Sequence, residues 1–404
     1  DAISEMISIE LGKIENLGVT GYTSASRYKD SEISIPEIAR ELDRDALLTG
    51  SVIHLENDEI IITASLLEGT TGESRWGNQF KGPSEDLPRL QREVILEVTQ
   101  NIKAIVTPEQ EINLAKWENV NKKAFEYYLH GIAEKGYSEE VGNRRLHFAE
   151  LAIEEDPNFA SAYILKAQTL SLLIYWGFPH GDDPVKQLKA SIDRAIAIDP
   201  QMPEARALTA SIALIDRNFG TAEQILAQVV KDGTNDAETY RQFAEILGVL
   251  QRHPQSITQA RKAQELDPLN ARMSHSVAWA YFRNKDYESA LKSSEVVIQV
   301  DEDSFAGYHN KAFALIGMGQ DIEAEKNLRL AYEKSGQKPF YLARLGYGLG
   351  VLGKKEEAAK LLDQLERIAQ TEPEKVKAHH FGLLYLGMGE VDKAIEWLDQ
   401  GKRI

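Results

Sequence analysis

Apolar positions recur in this chain with one dominant long period. The sites Asp199, Gly233, Asp267, Asp301 and Ser335 stand 34 residues apart. Between neighbouring sites lie two runs whose apolar residues are three and four apart, as one face of a helix requires. After Gly233, a first helix is predicted from Tyr240, Phe243, Ala244 and Leu247, a turn at His253-Pro254, and a second helix from Ile257, Ala260, Ala263 and Leu266. The next unit has Ser274, Val277, Ala278 and Tyr281, then Ala290, Ser294 and Val297, closing at Asp301. The third has Tyr308, Lys311, Ala312, Leu315 and Gly319, then Ala324, Leu328 and Ala331. Small residues fall where two helices must approach closely, and larger apolar ones fill the seam. Each of the five sites closes one helical hairpin and opens the next.

A 34-residue helix–turn–helix period is the signature of tetratricopeptide (TPR) repeats, and residues 121–404 resemble that family. Earlier hairpins are predicted over 121–155, ending at Asp156-Pro157, and over 158–198, with the insertion "WGFPHGDDP" between its helices. A seventh and an eighth follow over 340–368 and 377–401. The last stops at Gly401-Lys402, which leaves the polar outer cap of a solenoid end short or lost.

Residues 1–106 do not repeat. Ile3, Met6, Ile7, Ile9, Leu11 and Ile14 suit a helix, and "NLGVTGYT" reads as a short buried strand. Ser34, Pro36 and Glu37 make a capping-box start for a helix bearing Ile35, Ile38 and Leu42. "ALLTGSVIHL" and "EIIITASLLE" are strand-like runs joined by the turn Glu56-Asn57-Asp58. The turn Gly69-Thr70-Thr71-Gly72 leads to a third strand, "ESRWGNQF", with Trp76 expected in the core. Leu87, Leu90, Val94, Val98, Ile102 and Ile105 form an amphipathic helix after Pro83.

The predicted fold class is therefore a two-domain α+β chain. A small amino-terminal α/β domain with a mixed sheet (1–106) precedes a polar connector (107–120). An all-α, right-handed superhelix of about eight hairpins (121–404) follows.

The blocks "VTGYTSASRYK", "SIPEIARELDRDALLTGSV", "IIITASLLEGTTGESRWGNQF" and "LPRLQREVILEV" resemble successive parts of the TolB-like amino-terminal domain. "VTPEQEINLAKWENVNKKAFEYYLHG" is similar to the junction between that domain and a TPR array. The resemblance covers essentially the whole chain. It implies a sensory region of the kind joined to CadC/ToxR-like winged-helix activators, class III adenylate cyclases and some bacterial Ser/Thr kinases. Members usually open with a hydrophobic strand, which this sequence lacks. It starts at Asp1, already in a helical pattern, so a fragment of a longer protein is expected. Its compartment is periplasmic if the output is a ToxR-like membrane regulator, and cytoplasmic otherwise.

Composition narrows the function classes. A net charge of −17 argues against nucleic acid or an anionic membrane as a direct partner, because both demand clustered Lys and Arg. With no cysteine, disulfides, Cys-ligated zinc and thiol catalysis are excluded. No apolar run reaches the ~18 residues of a membrane span, and no signal peptide is expected within these residues.

Chemical motifs are few. "GLGVLG" (Gly348, Gly350, Gly353) matches G-x-G-x-x-G but lies late in a predicted first helix, with no strand before it, so helix packing explains it better than a dinucleotide. The P-loop, zincin and serine-hydrolase signatures are absent. His180, Asp182 and Asp183 offer three ligands within four residues but also read as a polar turn before Pro184. No metal or other cofactor is expected. His379 and His380 point about 100° apart on a helix, one expected at the surface and one in a seam. Thr23, Ser24, Arg27, Tyr28 and Lys29 form a loop suited to a small anion, or simply a structured turn. The apolar stretch Leu172–Phe178 is expected as a loop that docks on the amino-terminal domain or faces a partner.

The strongest constellation lies on the first helices, which line the concave face of such arrays. Arg241, His275, Trp279, Phe282, His309, Phe313 and Tyr347 fall there. Aromatic rings with interspersed His and Arg suit an extended peptide or a partner helix. The same rings would equally serve to pack one repeat on the next. The expected function is a non-enzymatic sensory or protein-interaction region that binds a peptide, protein or small effector. The alternatives are an accessory region of an adenylate cyclase or kinase, or an assembly scaffold that forms homodimers through an exposed array end.

Overall fold

The computed structural model describes residues 2–14, 17–56, 58–104, 106–134, 138–176, 183–200 and 202–400. Asn57 of the first hairpin turn, Ile105, His180 and Asp182, Gly177 and Phe178, and Gly401-Lys402 lie outside them. Helix α1 (Ala2–Gly12) buries Met6, Ile7 and Leu11. Helix α2 (Tyr22–Ala25) is a single turn, and α3 (Ile35–Leu42) starts at the capping box, where Glu37 Oε2 accepts from the Ser34 amide at 3.2 Å. It stops where Asp43 turns left-handed, with φ 54°.

Strands β1 (Ala46–His54), β2 (Glu59–Glu68) and β3 (Ser74–Pro83) form a sheet in that order. Ile60, Ile62, Ala64 and Leu66 alternate inward along β2, and Ile62 sits between Val52 and Phe80. Helix α4 (Leu87–Asn101) covers this face with Leu90, Val94 and Val98. Two expectations are corrected here. Among the described residues the sheet is antiparallel throughout, not mixed, because both of its connections are tight hairpins, whereas a parallel pair needs a crossover of a dozen residues or more. "NLGVTGYT" is not a strand either: residues 17–21 pair with no strand, and Tyr22 already begins α2.

Helix α5 (Pro108–Ala115) and Trp117 belong to the expected polar connector, yet they are packed. Leu114 is buried, and the Trp117 ring lies 5.9 Å from Phe125 and 5.8 Å from Phe159.

Eight helical hairpins follow: α6 (Lys122–Ala133) with α7 (Glu139–Glu155), α8 (Ala160–Trp176) with α9 (Pro184–Ile198), α10 (Pro203–Ile215) with α11 (Phe219–Lys231), α12 (Ala237–Val249) with α13 (His253–Leu266), α14 (Ala271–Arg283) with α15 (Tyr287–Val300), α16 (Phe305–Gly317) with α17 (Asp321–Lys334), α18 (Pro339–Val351) with α19 (Lys355–Thr371), and α20 (Ala378–Met388) with α21 (Val391–Gln400). From α10 to α18 the first helices begin at 203, 237, 271, 305 and 339, and the second helices keep the same 34-residue step. Leu172–Trp176, expected as loop, are instead the last turn of α8.

The helices and sheet divide into two compact units. Among the described residues, the first holds 2–176, 183–240 and 265–268, and the second holds 241–264 and 269–400. In the first, one core runs from Ile60, Ile62 and Phe80 through Leu90 and Val94 to Phe125, Tyr128, Ile132 and Leu165. The amino-terminal segment is fastened to turns between hairpins. Lys13 Nζ lies 2.9 Å from Glu10 and 3.0 Å from Glu204. Burial disfavours its charge, but the two carboxylates outweigh that cost and raise its pKa. Asn235 donates to the carbonyls of Gly12 and Leu17, and the Gly21 amide donates to Leu266 at 2.7 Å. A Cβ on Gly21 would lie 2.5 Å from Asp267 Cγ, so only glycine admits this approach.

In the second unit, Ala260, Ala263, Ala312, Ala324 and Ala358 are fully buried along the helix seams. Helix α18 crosses α20 closely: a Cβ on Gly350 would lie 2.4 Å from the Gly387 carbonyl carbon. The "GLGVLG" run is therefore a helix contact, with Gly348 and Gly350 inside α18.

Candidate functional site

The repeat period places the first-helix residues in columns. Arg241, His275 and His309 occupy one position at 34-residue steps, and Glu245, Trp279, Phe313 and Tyr347 occupy another, four residues further along each helix. Residues four apart share a helix face, so the two columns form one strip across α12, α14, α16 and α18 of the second unit.

Six of the seven sequence-derived residues fall in these columns, and the seventh, Phe282, packs beside them against Trp279. Trp279 stacks on Phe282 at 5.0 Å and meets His309 at 5.9 Å and Phe313 at 6.5 Å. Phe313 in turn stacks on Tyr347 at 5.7 Å, so the rings are continuous from α14 to α18. Arg241 pairs with Glu245 at 3.0 Å. The Glu245 carbonyl accepts from Arg283 Nη1, and the Arg283 guanidinium lies 5.6 Å from the Trp279 ring centroid.

Two residues that the sequence reading missed, Arg344 and Asn310, organise the polar part. Arg344 lies 4.4 Å over Phe340 and 5.9 Å from the Trp279 centroid. Arginine has no acceptor, so Arg344 Nη1 donates to His309 Nε2 at 2.7 Å. The His309 proton is then on Nδ1, facing Asn310 Oδ1 at 3.4 Å. Asn310 Nδ2 donates to His275 Nδ1 at 2.8 Å, which puts the His275 proton on Nε2. One direction of donation runs from Arg344 to His275, and every tautomer in it follows from the arginine. Burial, followed by the charge of Arg344, holds His309 well below the usual histidine range. Burial and the guanidiniums of Arg344, Arg241, Arg272 and Arg283 push His275 down to about 3. Both imidazoles are therefore neutral at ordinary pH. A signal for these residues was present in the sequence: Asn310 follows His275 by 35, and Arg344 follows His309 by 35, one position beyond the repeat.

Burial sorts the seven further. His309 and Phe313 are buried, at 3% and 6% exposure, and serve as the packed floor of the strip. Arg241, His275, Trp279, Phe282 and Tyr347 are half-buried and reach its surface.

Other candidate sites resolve into structure. The Thr23–Lys29 loop does hold a carboxylate, but it is that of Asp267, whose Oδ1 accepts from the Ser24 amide at 3.0 Å and from the Ser24 hydroxyl. Tyr28 donates to Glu41 at 2.6 Å, and burial followed by that bond pushes its phenol up to about 12. Asp183 accepts from the Lys186 amide and caps α9. Among the described residues no group of three or more His, Asp or Glu is placed to hold a metal. His379 is exposed and His380 buried in the seam, 5.9 Å from Phe340. Trp76 is half-buried against Phe80. A small cavity between α1 and α4, lined by Met6, Glu10, Gln91 and Trp117, has room for about one water. Gln91 Nε2 is buried there without a protein partner.

No family model matches the chain. In sequence it is similar to "Putative adenylate cyclase 3" of Rhizobium meliloti (strain 1021), 28% identical over 167 residues, which are 40% of this chain. The chain spans only 28% of that relative's length. In fold it is similar to a monomeric mutant of IFIT1 solved with m7Gppp-AAAA, with a TM-score of 0.52 at 12% identity over 79% of this chain and 86% of that one. It is also similar to YrrB, described as a TPR protein with an unusual peptide-binding site, with a TM-score of 0.34 at 16% identity over 48% of this chain and 95% of that one. The hairpins form a helical repeat with a 34-residue step. No helix among the described residues is long and apolar enough to cross a membrane.

Proposed function

We propose that this chain is a non-enzymatic protein-interaction region of a signalling protein, and that the strip from Arg241 to Tyr347 receives a peptide or a partner segment. The observation that carries the reading is the aromatic run Trp279–Phe313–Tyr347, bordered by arginines and by histidines locked in one tautomer. Rigid rings offer contact area at low entropic cost, and fixed donors orient whatever lies on them. Residues 1–106 are read as a TolB-like domain joined through 107–120 to the array, and the whole as a sensory region.

The test is a random peptide library selected against the chain. Selected peptides should lose binding to Trp279→Ala and keep it with Lys326→Ala, an exposed residue of α17. Selection of no peptide, or of peptides indifferent to Trp279, would count against the reading.

A second reading is favoured by the similarity to the putative cyclase: an accessory region that regulates a catalytic domain in a longer protein. Deleting this region from such a protein should then change cyclase output or its response to effector, without abolishing the catalytic fold.

A further inference from the structure

From α14 onward the charges of the second unit are sorted between its helices. The first helices α14, α16, α18 and α20 contain no Asp or Glu, whereas each second helix from α15 to α21 contains at least two. In a chain of net charge −17, carboxylates are thus absent from three of the four helices that build the strip, α14, α16 and α18; the fourth, α12, carries Glu238 and Glu245, and Glu245 is paired with Arg241. The side chains there are also donors. Arginine and the indole N–H only donate, and the Nδ1 of His275 already accepts from Asn310, so its remaining nitrogen donates as well. Arg283 and Arg344 both lie within 6 Å of the Trp279 ring.

Resting on the reading above, we propose that the occupant of the strip is a short acidic peptide segment. Its carboxylates would be met by Arg283, Arg344 and His275, and its apolar side chains by Trp279 and Tyr347. A surface of donors beside ring faces matches a ligand that supplies acceptors and some apolar area. Long polyanions fit less well. A nucleic acid needs clustered cations along its length, and the flanking second helices present carboxylates instead. A peptide can space its charges to meet the line of first helices alone.

The experiment uses the full 404-residue chain and fluorescence anisotropy. The probes are labelled decapeptides of Glu, Leu and Ala, the same peptides with Gln or Lys in place of Glu, and an oligothymidylate of equal length. The acidic peptide is expected to bind at least ~10-fold tighter than the neutral one and to weaken with salt. Arg283→Gln and Arg344→Gln should each lower its affinity roughly 10-fold, while Lys326→Gln leaves it unchanged. Equal binding of acidic and neutral peptides, tighter binding of the basic peptide or the oligothymidylate, or indifference to both arginine variants would overturn the assignment. Neutral peptides that bind in a Trp279-dependent way would sink the acidic occupant but leave the peptide-binding reading standing. Binding of no peptide at all counts against both. Should Arg344→Gln fail to fold, the comparison of probes on the unaltered chain and on Arg283→Gln still decides.

Discussion

Asp267 offers the sharpest test of how the amino-terminal segment is held. Its side chain is 5% exposed and accepts from two donors of Ser24, itself fully buried. Truncation in Asp267→Ala removes the acceptor and leaves an amide and a hydroxyl buried without it. Hydrogen bonds to charged groups contribute ~1.5–3 kcal/mol each, and a buried donor left unmade carries its desolvation penalty. Two such bonds, partly relieved by water entering the vacated space, give an expected loss of about 3–4 kcal/mol, a large share of the stability of a typical domain. Ser24→Ala removes only the hydroxyl and should cost about half as much. The double variant should be clearly less damaging than the sum, because both changes delete the same contact. Urea unfolding would measure the totals, and hydrogen exchange at residues 17–29 would localise the effect. If Asp267→Ala cost no more than an ordinary surface substitution (~0.5 kcal/mol), or if exchange at 17–29 did not change, the fastening described above would be wrong.

Further outcomes follow from the packing and the titrating groups. Gly350→Ala should destabilise by about 2 kcal/mol through overpacking against Gly387, whereas Gly220→Ala, with open space at its Cβ, should be neutral or slightly stabilising; thermal melts compare the two. Phe125→Ala should cost roughly 3–5 kcal/mol, since Phe125 is 2% exposed in the core shared with the sheet. For the same reason a fragment ending at 106 should show poor dispersion in its NMR spectrum. The buried histidines set a pH dependence. His275 and His309 have folded pKa values below their unfolded value, so the unfolded chain binds more protons between about 6.5 and about 3. Stability is therefore full above the unfolded pKa and falls as pH drops below it. His309→Gln should flatten the part of that loss seen above the carboxylate range.

The sequence was most legible where one period controlled everything. Helix starts at 203, 237, 271, 305 and 339 keep the 34-residue step, because each hairpin can bury its seam only against a neighbour of the same shape. The hairpins of the sheet were equally plain, since β2 alternates from Ile60 to Leu66 and tight turns leave one pairing. The strip was legible as a set of residues but not as a surface. Nothing in the spacing of His309 and Phe313 tells a ring in the groove from a ring beneath it, and both proved buried. Arg344 and Asn310 escaped because each steps 35 residues from its partner rather than 34, so a search within one column passes over them. The connector misled for a simpler reason. Glu109, Gln110, Glu111 and Lys116 dominate its composition, while two side chains, Leu114 and Trp117, pack into the core.

The misread strand at "NLGVTGYT" shows what a period can specify beyond its own helices. The Leu17 carbonyl accepts from Asn235, and four residues later the Gly21 amide donates to Leu266, one repeat further along the array. An extended chain covers at most ~13–14 Å in four residues, and packed helices stand ~8–10 Å apart. Four residues without helical coiling therefore suffice for one step between neighbouring hairpins, and a helix over the same stretch, at ~6 Å, would fall short. Val19 and its neighbours read as a strand because they do need extended backbone. Their partners are the turns of a helical stack instead of another strand, and a pattern of apolar residues cannot distinguish the two. Inserting one residue between Leu17 and Gly21 tests the argument: the reach survives but the register does not. Protection at Ser24 should fall as it does in Asp267→Ala, while a one-residue insertion in the exposed turn Thr70-Thr71 should leave it intact. Unchanged protection at Ser24 after the first insertion would show that the spacing carries no such constraint.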